Sequence, residues 1–156
     1  MARREASEPL LIKNKKAFHL YEIVEKIEAG IELVGTEVKA IRAKNVNFTD
    51  AFVRMKNGEA FLENLHIGAW APASQFNHAP LRSRRLLLHK NQIMRLGQKC
   101  AERGLTLVPL AIVGRKHWIK VELGLGRGKK VHDKRDSLAR KEAKRDVERD
   151  LKYRSR

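Results

Sequence analysis

The sequence predicts a mainly β domain, built as a small antiparallel barrel and followed by a basic tail. Several short segments alternate apolar and polar residues, one later segment carries a helical apolar stripe, and the charge density rises sharply after residue 126. With 156 residues, 42% of them hydrophobic, the chain is long enough for one domain with a core and an appendage, but not for two full domains.

The first strand is expected at Ala17 to Ile27, where apolar and polar residues roughly alternate. Residues 1–13 are polar and basic, and we expect them to form a loosely ordered arm. Glu28-Ala29-Gly30 follows and is expected to break the strand as a turn.

A second strand is expected to begin at Ile31. The apolar phase slips between Leu33 and Val34, which predicts a β-bulge or bend, because a slip of one residue turns side chains to the other face. Val38 and Ile41 are three residues apart, so a short helical turn is expected next.

The clearest local signal is a hairpin at Asn57-Gly58. Apolar residues alternate from Ala51 to Met55 before it and recur from Phe61 to Ile67 after it. Asn-Gly tolerates the positive φ that a tight type I′ turn requires at both positions. Residues 68–83 then form a long segment, and loops of that length are usually functional or disordered.

Residues 91–103 predict the main helix. Ile93, Leu96 and Cys100 fall on one stripe, Asn91 can cap its start, and Gly104 can end it.

Two further strands are expected after this helix. Leu105 to Val113 is almost continuously apolar, as in a strand covered on both faces, and His117 to Leu123 alternates. Five or six strands with one main helix suit a small closed or nearly closed barrel, and the OB-fold combines this strand count with oligonucleotide binding.

The tail is much denser in charge than the rest of the chain. Residues 127–156 carry 13 Lys/Arg and 6 Asp/Glu, a net +7, while the other 126 residues together carry only +9. Opposite charges recur at helical spacing, but each pair contributes only about 0.2–0.5 kcal/mol. We expect a segment that is largely disordered in isolation and becomes helical on a polyanion.

The net charge of +16 and the pI near 10.4 indicate nucleic acid as partner, and less often an anionic membrane surface. The longest apolar run, Leu105 to Val113, is far short of the roughly 20 residues that span a bilayer. The first residues lack the apolar stretch of a signal sequence, so a cytoplasmic protein without membrane attachment is expected.

No catalytic, cofactor or metal site is expected. Gly124 to Lys130 looks like a phosphate loop, but Leu123 occupies the position of its first glycine and Lys130 that of its hydroxyl residue. The six histidines show no metal-ligand pair, and the single cysteine, Cys100, lies on an apolar stripe and can form no internal disulfide.

In contrast to catalytic motifs, residues typical of nucleic-acid binding are present. Asn14-Lys15-Lys16 and the basic residues around Leu86-Leu87-Leu88 can neutralise phosphates. Stacking candidates are His19, Tyr21 and Trp118. Structural alternatives are that Tyr21 is a core residue, that Trp118 covers a barrel end, and that the leucines lead into the helix.

Five segments of the sequence, in order, resemble one known family. They are Asn14-Lys15-Lys16-Ala17-Phe18-His19, Glu28-Ala29-Gly30, Gly35-Thr36-Glu37-Val38-Lys39-Ala40-Ile41-Arg42, Arg82-Ser83-Arg84-Arg85-Leu86-Leu87-Leu88-His89-Lys90 and Gly128-Lys129-Lys130-Val131-His132-Asp133-Lys134-Arg135. The family is that of the tmRNA-binding proteins of bacterial trans-translation, also called SsrA-binding proteins or small protein B. The resemblance covers about residues 13–140.

The resemblance implies an OB-type six-stranded antiparallel barrel with about three helices, and a function as a non-enzymatic adaptor. Such a protein binds the tRNA-like domain of tmRNA, and the complex with alanyl-tmRNA enters stalled ribosomes, where incomplete polypeptides are tagged. Its tail is implied to occupy the empty decoding site and mRNA channel of the small subunit. Elongation factor Tu is implied as an indirect partner, through alanyl-tmRNA, and the protein is expected to be a monomer.

The predicted site residues follow from the motifs and the resemblance together. The predicted RNA-binding residues are Asn14, Lys15, Lys16, His19, Tyr21, Glu28, Lys39, Arg82, Arg84, Leu87, His89 and Lys90. The predicted decoding-centre residues are Gly128, Lys129, Lys130, His132, Asp133, Lys134 and Arg135.

Glu28 is an unusual RNA-binding candidate, because a carboxylate repels phosphate. It could accept hydrogen bonds from a base or sugar or orient a neighbouring Lys or Arg; the alternative is a simple turn residue.

These expectations divide the chain into a flexible arm (1–13), an RNA-binding barrel (14–127) and a basic tail (128–156). No function is transferred to the Ala-rich loop after Ile67, and beyond Arg140 the tail resembles the family in charge pattern only. A general OB-fold protein that binds single-stranded nucleic acid or assists ribosome assembly is the alternative function.

Overall fold

The structure is a computed structural model that describes residues 10–115, 117–129 and 131–154. In chain order the elements are β1 (Leu10–Lys13), α1 (Lys15–Leu20), β2 (Tyr21–Ile31), α2 (Gly35–Arg42), β3 (Val46–Asn47), β4 (Phe52–Lys56), β5 (Glu59–Glu63), β6 (His66–Ile67), a 3₁₀ segment (Ala71–Phe76), β7 (Arg84–Leu87), α3 (Lys90–Arg103), β8 (Thr106–Arg115), β9 (Trp118–Gly128) and α4 (Val131–Arg154).

The architecture combines one large antiparallel sheet with helices. Its strands lie in the order β1-β8-β9-β2-β7-β5-β4, and β3 pairs with β6 in a separate two-stranded ribbon. The long strands β8 and β9 form a hairpin, and β9 pairs with β2 from Tyr21↔Gly128 to Gly30↔Lys120. The edge strand β4 also lies beside β8.

The main core lies on the inner face of this sheet and under α3. Leu62, Leu123 and Ile112 from the strands meet Leu96 of α3 there, and all four are almost completely buried. The predicted helix and its apolar stripe are confirmed, and Gly104 ends it with a φ of 61°. The cap differs from the prediction, since the helix begins at Lys90 after His89, and the side chain of Gln92 accepts the backbone N–H of His89.

A second, smaller core lies on the opposite face of the sheet. Val108 and Leu110 pack there against Ala17 of α1, while the neighbouring Leu107 belongs to the main core. A Cβ placed on Gly124 would lie 2.7 Å from Cδ1 of Leu110, so the glycine is what lets this leucine pack against β9. The small core fixes α1 to the outside of the sheet.

The hairpin prediction is confirmed. Lys56 pairs with Glu59 across the turn, and Asn57 and Gly58 have φ values of 53° and 73°, as a type I′ turn requires. The helical turn expected after Val34 is also confirmed as α2.

Other predictions at the start of the chain are wrong. Residues 17–20 belong to α1 and not to a strand, and β2 continues through Glu28-Ala29-Gly30 without a break. Residues 32–34 connect β2 to α2 and form no strand, and the bulge lies in β2 between Ile23 and Glu25, opposite β9. Leu10–Lys13, expected in the arm, forms β1 against β8, while residues 1–9 lie outside the described part.

The long segment after β6 is held by specific hydrogen bonds. His78 joins the hydroxyl of Thr36 (2.8 Å) to the backbone carbonyl of Ile67 (2.8 Å), and Asn77 binds the backbone of Trp70 at both its N–H and carbonyl. The segment is therefore anchored to the start of α2. Within residues 10–115, 117–129 and 131–154, no helix is both long and apolar enough to cross a bilayer.

Candidate nucleic-acid interface

The first group of predicted residues lies on α1. Lys15 and Lys16 are exposed in its first turn, and His19 is half-buried in its last. Asn14 is buried, and its side chain accepts the backbone N–H of Ala17 and donates to the carbonyl of Pro109 (2.8 Å). Asn14 therefore fixes the start of the helix that presents the two lysines.

Tyr21 follows α1 as the first residue of β2. It packs against the smaller core, and a Cβ on Gly126 would lie 3.0 Å from the Cβ of Tyr21. This position agrees with the core alternative for Tyr21, although the side chain is still half-exposed. Trp118, the other aromatic candidate, is 72% exposed at the start of β9 and does not cover the core.

A second group lies on the outward face of β9, β2 and β7. Glu28 stands opposite Glu122 in the ladder, and its carboxylate binds the ammonium of Lys120 at 2.8 Å. The ammonium of Lys26 lies 3.6 Å from the carboxylate of Glu122 on the same face. Glu28 is thus in mid-strand, so the turn interpretation is wrong, and its carboxylate orients a lysine.

Leu87 lies next to these charges on β7. It is 55% exposed and pairs with Gly30, where an added Cβ would lie 3.0 Å from the Cβ of Leu87. The glycine therefore allows the leucine to lie flat over β2. From the sequence, Gly30 was expected only as part of a turn and Lys120 was not singled out, although the alternation from His117 to Leu123 places Lys120 on the face opposite Val121 and Leu123.

Leu87 also lines a surface groove of about 610 Å³ between β7, the Asn57-Gly58 turn and the start of α3. The exposed side chains of His89, Lys90 and Met94 share this groove with Arg85. Apolar side chains beside basic ones can hold an unpaired base and its phosphate. The groove therefore joins Leu87, His89 and Lys90 of the predicted set, whereas Lys39 lies exposed on α2.

The two remaining predicted arginines point elsewhere. Arg84 is completely buried: it forms an ion pair with Glu37 and donates to the backbone carbonyls of Leu65 (2.6 Å) and Pro80 (3.2 Å). Its side chain has no solvent contact in this structure, so Arg84 supports the fold here, and its assignment as an RNA-binding residue stays a prediction. Arg82 remains partly exposed while it donates to Glu37 at 2.5 Å.

Glu37 is the centre of this buried network. Burial raises the pKa of its carboxyl, but hydrogen bonds from the backbone of Val34 and from Arg82 and Arg84, with the charge of Arg84, outweigh burial and lower the pKa overall. The carboxylate therefore stays charged and holds β7 to the start of α2.

The predicted decoding-centre segment begins at the end of β9. Gly128 is exposed, and Lys129 is bound to α1: its backbone N–H donates to the carbonyl of Leu20 (2.9 Å) and its ammonium to that of Phe18 (3.2 Å). Arg135 is exposed on α4. Lys130 and the side chains of His132, Asp133 and Lys134 lie outside the described part.

Comparison with known proteins gives one consistent result. Residues 11–153 match the model of a family described as SmpB protein. An SsrA-binding protein of Carboxydothermus hydrogenoformans is 50% identical over 147 residues, 94% of this chain and 99% of that protein. One of Microcystis aeruginosa is 47% identical over 153 residues, 97% of this chain and 99% of that protein.

A solved structure described as "tmRNA-SmpB: a journey to the center of the bacterial ribosome" contains a similar chain. It has a TM-score of 0.67 and 49% identity, covering 79% of this chain and 87% of that one. Since the family model spans both the sheet and most of α4, and relatives of nearly equal extent are about half identical, the chain belongs to the SmpB protein family.

Proposed function

We propose that this protein is a non-enzymatic adaptor that binds tmRNA and delivers it to stalled ribosomes for trans-translation. The observation that carries the proposal is that similarity to SsrA-binding proteins runs through the body and the tail alike. The relatives are named for binding SsrA, and the similar solved chain comes from a tmRNA–SmpB study of the ribosome. The protein acts in the cytoplasm as a monomer, and meets elongation factor Tu through alanyl-tmRNA.

The body is an OB-type barrel formed by six strands: β2, β4, β5, β7, β8 and β9. Two features support this closure. These strands follow one another in the sheet from β8 to β4, and β4 returns to lie beside β8. A closed sheet of this kind presents one continuous outer face to an oligonucleotide.

The RNA-binding surface consists of two groups on that outer face. Lys15, Lys16 and His19 on α1 bind phosphates and stack, while the groove with Leu87, His89 and Lys90 holds an unpaired loop. Glu28 contributes by holding Lys120 in position, and Arg82, Arg84 and Asn14 act by shaping the elements that carry the surface.

The tail acts on the ribosome. Helix α4 spans 24 residues, about 36 Å at the usual rise of an α-helix. Its described side chains are all exposed, including Leu138, Val147 and Leu151, so the body contributes little to its stability. We infer that the tail is largely disordered in free protein and folds in the decoding site and mRNA channel, with Gly128–Arg135 at the decoding centre.

The decisive experiment compares full-length protein with a variant that ends after Gly128. Both hydrophobic cores consist of residues before Gly126, so the shortened body keeps its packing. We expect its affinity for tmRNA to stay within about threefold of full length, less than 1 kcal/mol, while tagging of stalled chains is lost. Tagging by the shortened protein would refute the role of the tail.

Ordinary tRNA and an unrelated oligonucleotide serve as control ligands. A general single-strand binder would hold all three RNAs alike and lose affinity steeply with salt, whereas an adaptor keeps its preference for tmRNA as salt rises. Equal affinities throughout would favour the general binder.

A peptide of residues 128–156 tests the folding of the tail. We expect circular dichroism to show little helix in dilute buffer and a clear gain on adding RNA, because its apolar residues are too few to bury a face. A fully helical free peptide would contradict coupled folding.

A further inference from the structure

The first residue group on α1 and the second group on β2 and β7 are separated by a surface to which no function has been assigned. Its centre is Phe18 of α1, a half-buried residue that packs against the smaller core. The ammonium of Lys13 lies 5.0 Å from the centroid of the Phe18 ring, and that of Lys26 lies 5.5 Å from it. Two cations from two different strands thus converge on one aromatic side chain.

We propose that Lys13 and Lys26, positioned by Phe18, form a binding site for a backbone phosphate of tmRNA; this inference rests on the proposed function. The three side chains line one hollow of about 240 Å³, which Leu110, Ala111 and Glu122 complete. Its floor is therefore apolar and its rim mainly cationic. Such a hollow suits an anion that bridges two ammonium groups.

The ring sets the positions of the lysines. A cation over an aromatic face gains about 0.5–1 kcal/mol at an exposed site. That gain restrains two flexible side chains before the ligand arrives, although their like charges repel. A phosphate between them removes this repulsion, so the arrangement favours anion binding.

The charges around the hollow leave a positive excess. Glu122 contributes the single carboxylate among the residues that line the hollow, and it lies 3.6 Å from the ammonium of Lys26. The nearby carboxylate of Glu28 is already bound by Lys120. A neighbouring hollow shares Phe18 and Lys26 and adds Lys129, whose ammonium rests on the carbonyl of Phe18.

Two further carboxylates, Glu22 and Glu25, line that neighbouring hollow. Glu25 is already bound by Lys99 (2.6 Å) and Arg95 (2.9 Å), so it adds little negative charge.

The position of the hollow identifies the anion as RNA. Phe18 is on the helix that carries Lys15 and Lys16, and Lys26 precedes Glu28 by two residues on the same face of β2, about 7 Å along an antiparallel strand. An RNA that follows the outward face of β2 from α1 to Glu28 passes over this surface. The hollow therefore supplies a contact on the way from α1 to the groove at β7.

The test measures tmRNA affinity across a salt series for the double variant Lys13→Gln/Lys26→Gln. Each phosphate that the protein neutralises contributes about 1 to the slope of log K against log salt. Because both lysines contact the same phosphate, we expect the double variant to reduce the magnitude of the slope by about 1, with weaker binding at low salt. Lys13→Arg/Lys26→Arg should restore both values, because arginine keeps the charge and also binds over aromatic rings.

The control Lys44→Gln/Arg103→Gln removes two exposed charges elsewhere and should leave the slope unchanged. The variant Phe18→Leu keeps all charges and much of the packing. It should weaken binding several-fold with the slope retained, and wild-type affinity in this variant would overturn the role of the ring. Urea unfolding of each variant verifies that the fold is intact.

The outcomes separate the two proposals. If wild-type protein does not prefer tmRNA to ordinary tRNA, the proposed function fails. If wild type binds tmRNA selectively and Lys13→Gln/Lys26→Gln binds with the same slope and affinity, only the phosphate site is refuted. An equal decrease of the salt slope in Lys44→Gln/Arg103→Gln would also refute the phosphate site, because the change in net charge alone would then explain the effect.

Discussion

The ammonium of Lys129 donates a hydrogen bond to the backbone carbonyl of Phe18, with 3.2 Å between the two atoms. Together with the backbone bond from Lys129 to Leu20, it attaches the residue after β9 to the last turn of α1. A cation near the carboxyl end of a helix is also favoured by the helix dipole. The end of β9, from which the tail continues, is therefore fixed to α1.

We predict that Lys129→Met lowers tagging of stalled chains more than it lowers tmRNA affinity. The variant keeps the backbone bond to Leu20 but loses the side-chain bond that fixes the start of the tail to α1. Parallel tagging and binding assays measure the two effects, and Lys129→Arg, which can still donate, should retain most of the activity. A loss of tmRNA binding equal to the loss of tagging would instead place Lys129 directly on the RNA.

Removing one partner of the buried Glu37–Arg84 ion pair should destabilise the fold strongly. We expect Glu37→Gln to destabilise the protein by about 3–5 kcal/mol, because Arg84 would remain buried without a counter-charge. The double variant Glu37→Met/Arg84→Met should recover much of this loss, since two apolar side chains leave no buried charge. Urea denaturation gives all three values, and a Glu37→Gln loss below about 1 kcal/mol would contradict the argument.

The ion pairs of Glu25 on β2 with Arg95 and Lys99 on α3 predict that the stability of the fold depends on pH. The hydrogen bond from Lys99 lowers the pKa of Glu25, and it outweighs burial with the help of the charges of Arg95 and Lys99, so the pKa lies below the ordinary 4.5. The folded protein then binds fewer protons near this pH than the unfolded chain does. Glu25 therefore stabilises the fold fully above about pH 4.5 and loses this effect as pH falls through its lowered pKa.

Comparing wild type with Glu25→Gln isolates this contribution. The difference in free energy of unfolding should be constant from pH 7 to 5 and shrink steadily below that, as urea titrations at each pH would show. A difference that stayed constant down to pH 3 would mean that Glu25 stabilises by packing and not by charge.

Two glycines should respond in opposite directions to the same substitution. Gly124→Ala would place a Cβ 2.7 Å from Leu110, and overpacking of this kind costs about 1–3 kcal/mol. Gly97→Ala, in mid-α3 with only Met55 nearby at 3.9 Å, should stabilise by about 0.5–1 kcal/mol. Thermal unfolding of both variants measures the contrast, and equal shifts would contradict the packing of the smaller core.

Elements encoded by neighbouring residues were predictable from the sequence. The Asn57-Gly58 hairpin and the stripe of α3 need only local conformations and local spacing, and both are found. Helix α1 was not predicted because it has only six residues. Over so short a segment, the apolar repeat of a helix cannot be distinguished from the alternation of a strand. Its start depends on the bond from Asn14 to Pro109, 95 residues away.

Long-range pairing explains the remaining errors. Gly30 looks like a turn residue locally, yet it lies within β2 because Lys120 and Leu87 pair with it from either side. Arg84 belongs to a basic run, and only its ion pair with Glu37, 47 residues earlier, turns it into a core residue. Neither contact has a signal in the neighbouring sequence.

Glu28 and Glu122 place two carboxylates beside Lys26 and Lys120 on the outward face of β2 and β9. Each partly cancels a lysine, so the surface attracts any passing polyanion less than its lysines alone would. Other RNAs compete for every exposed cation, because phosphate contacts carry no sequence information. The two carboxylates therefore favour specificity over affinity. An RNA whose shape fits the groups on either side gains contacts that offset the weaker attraction, whereas other RNAs do not.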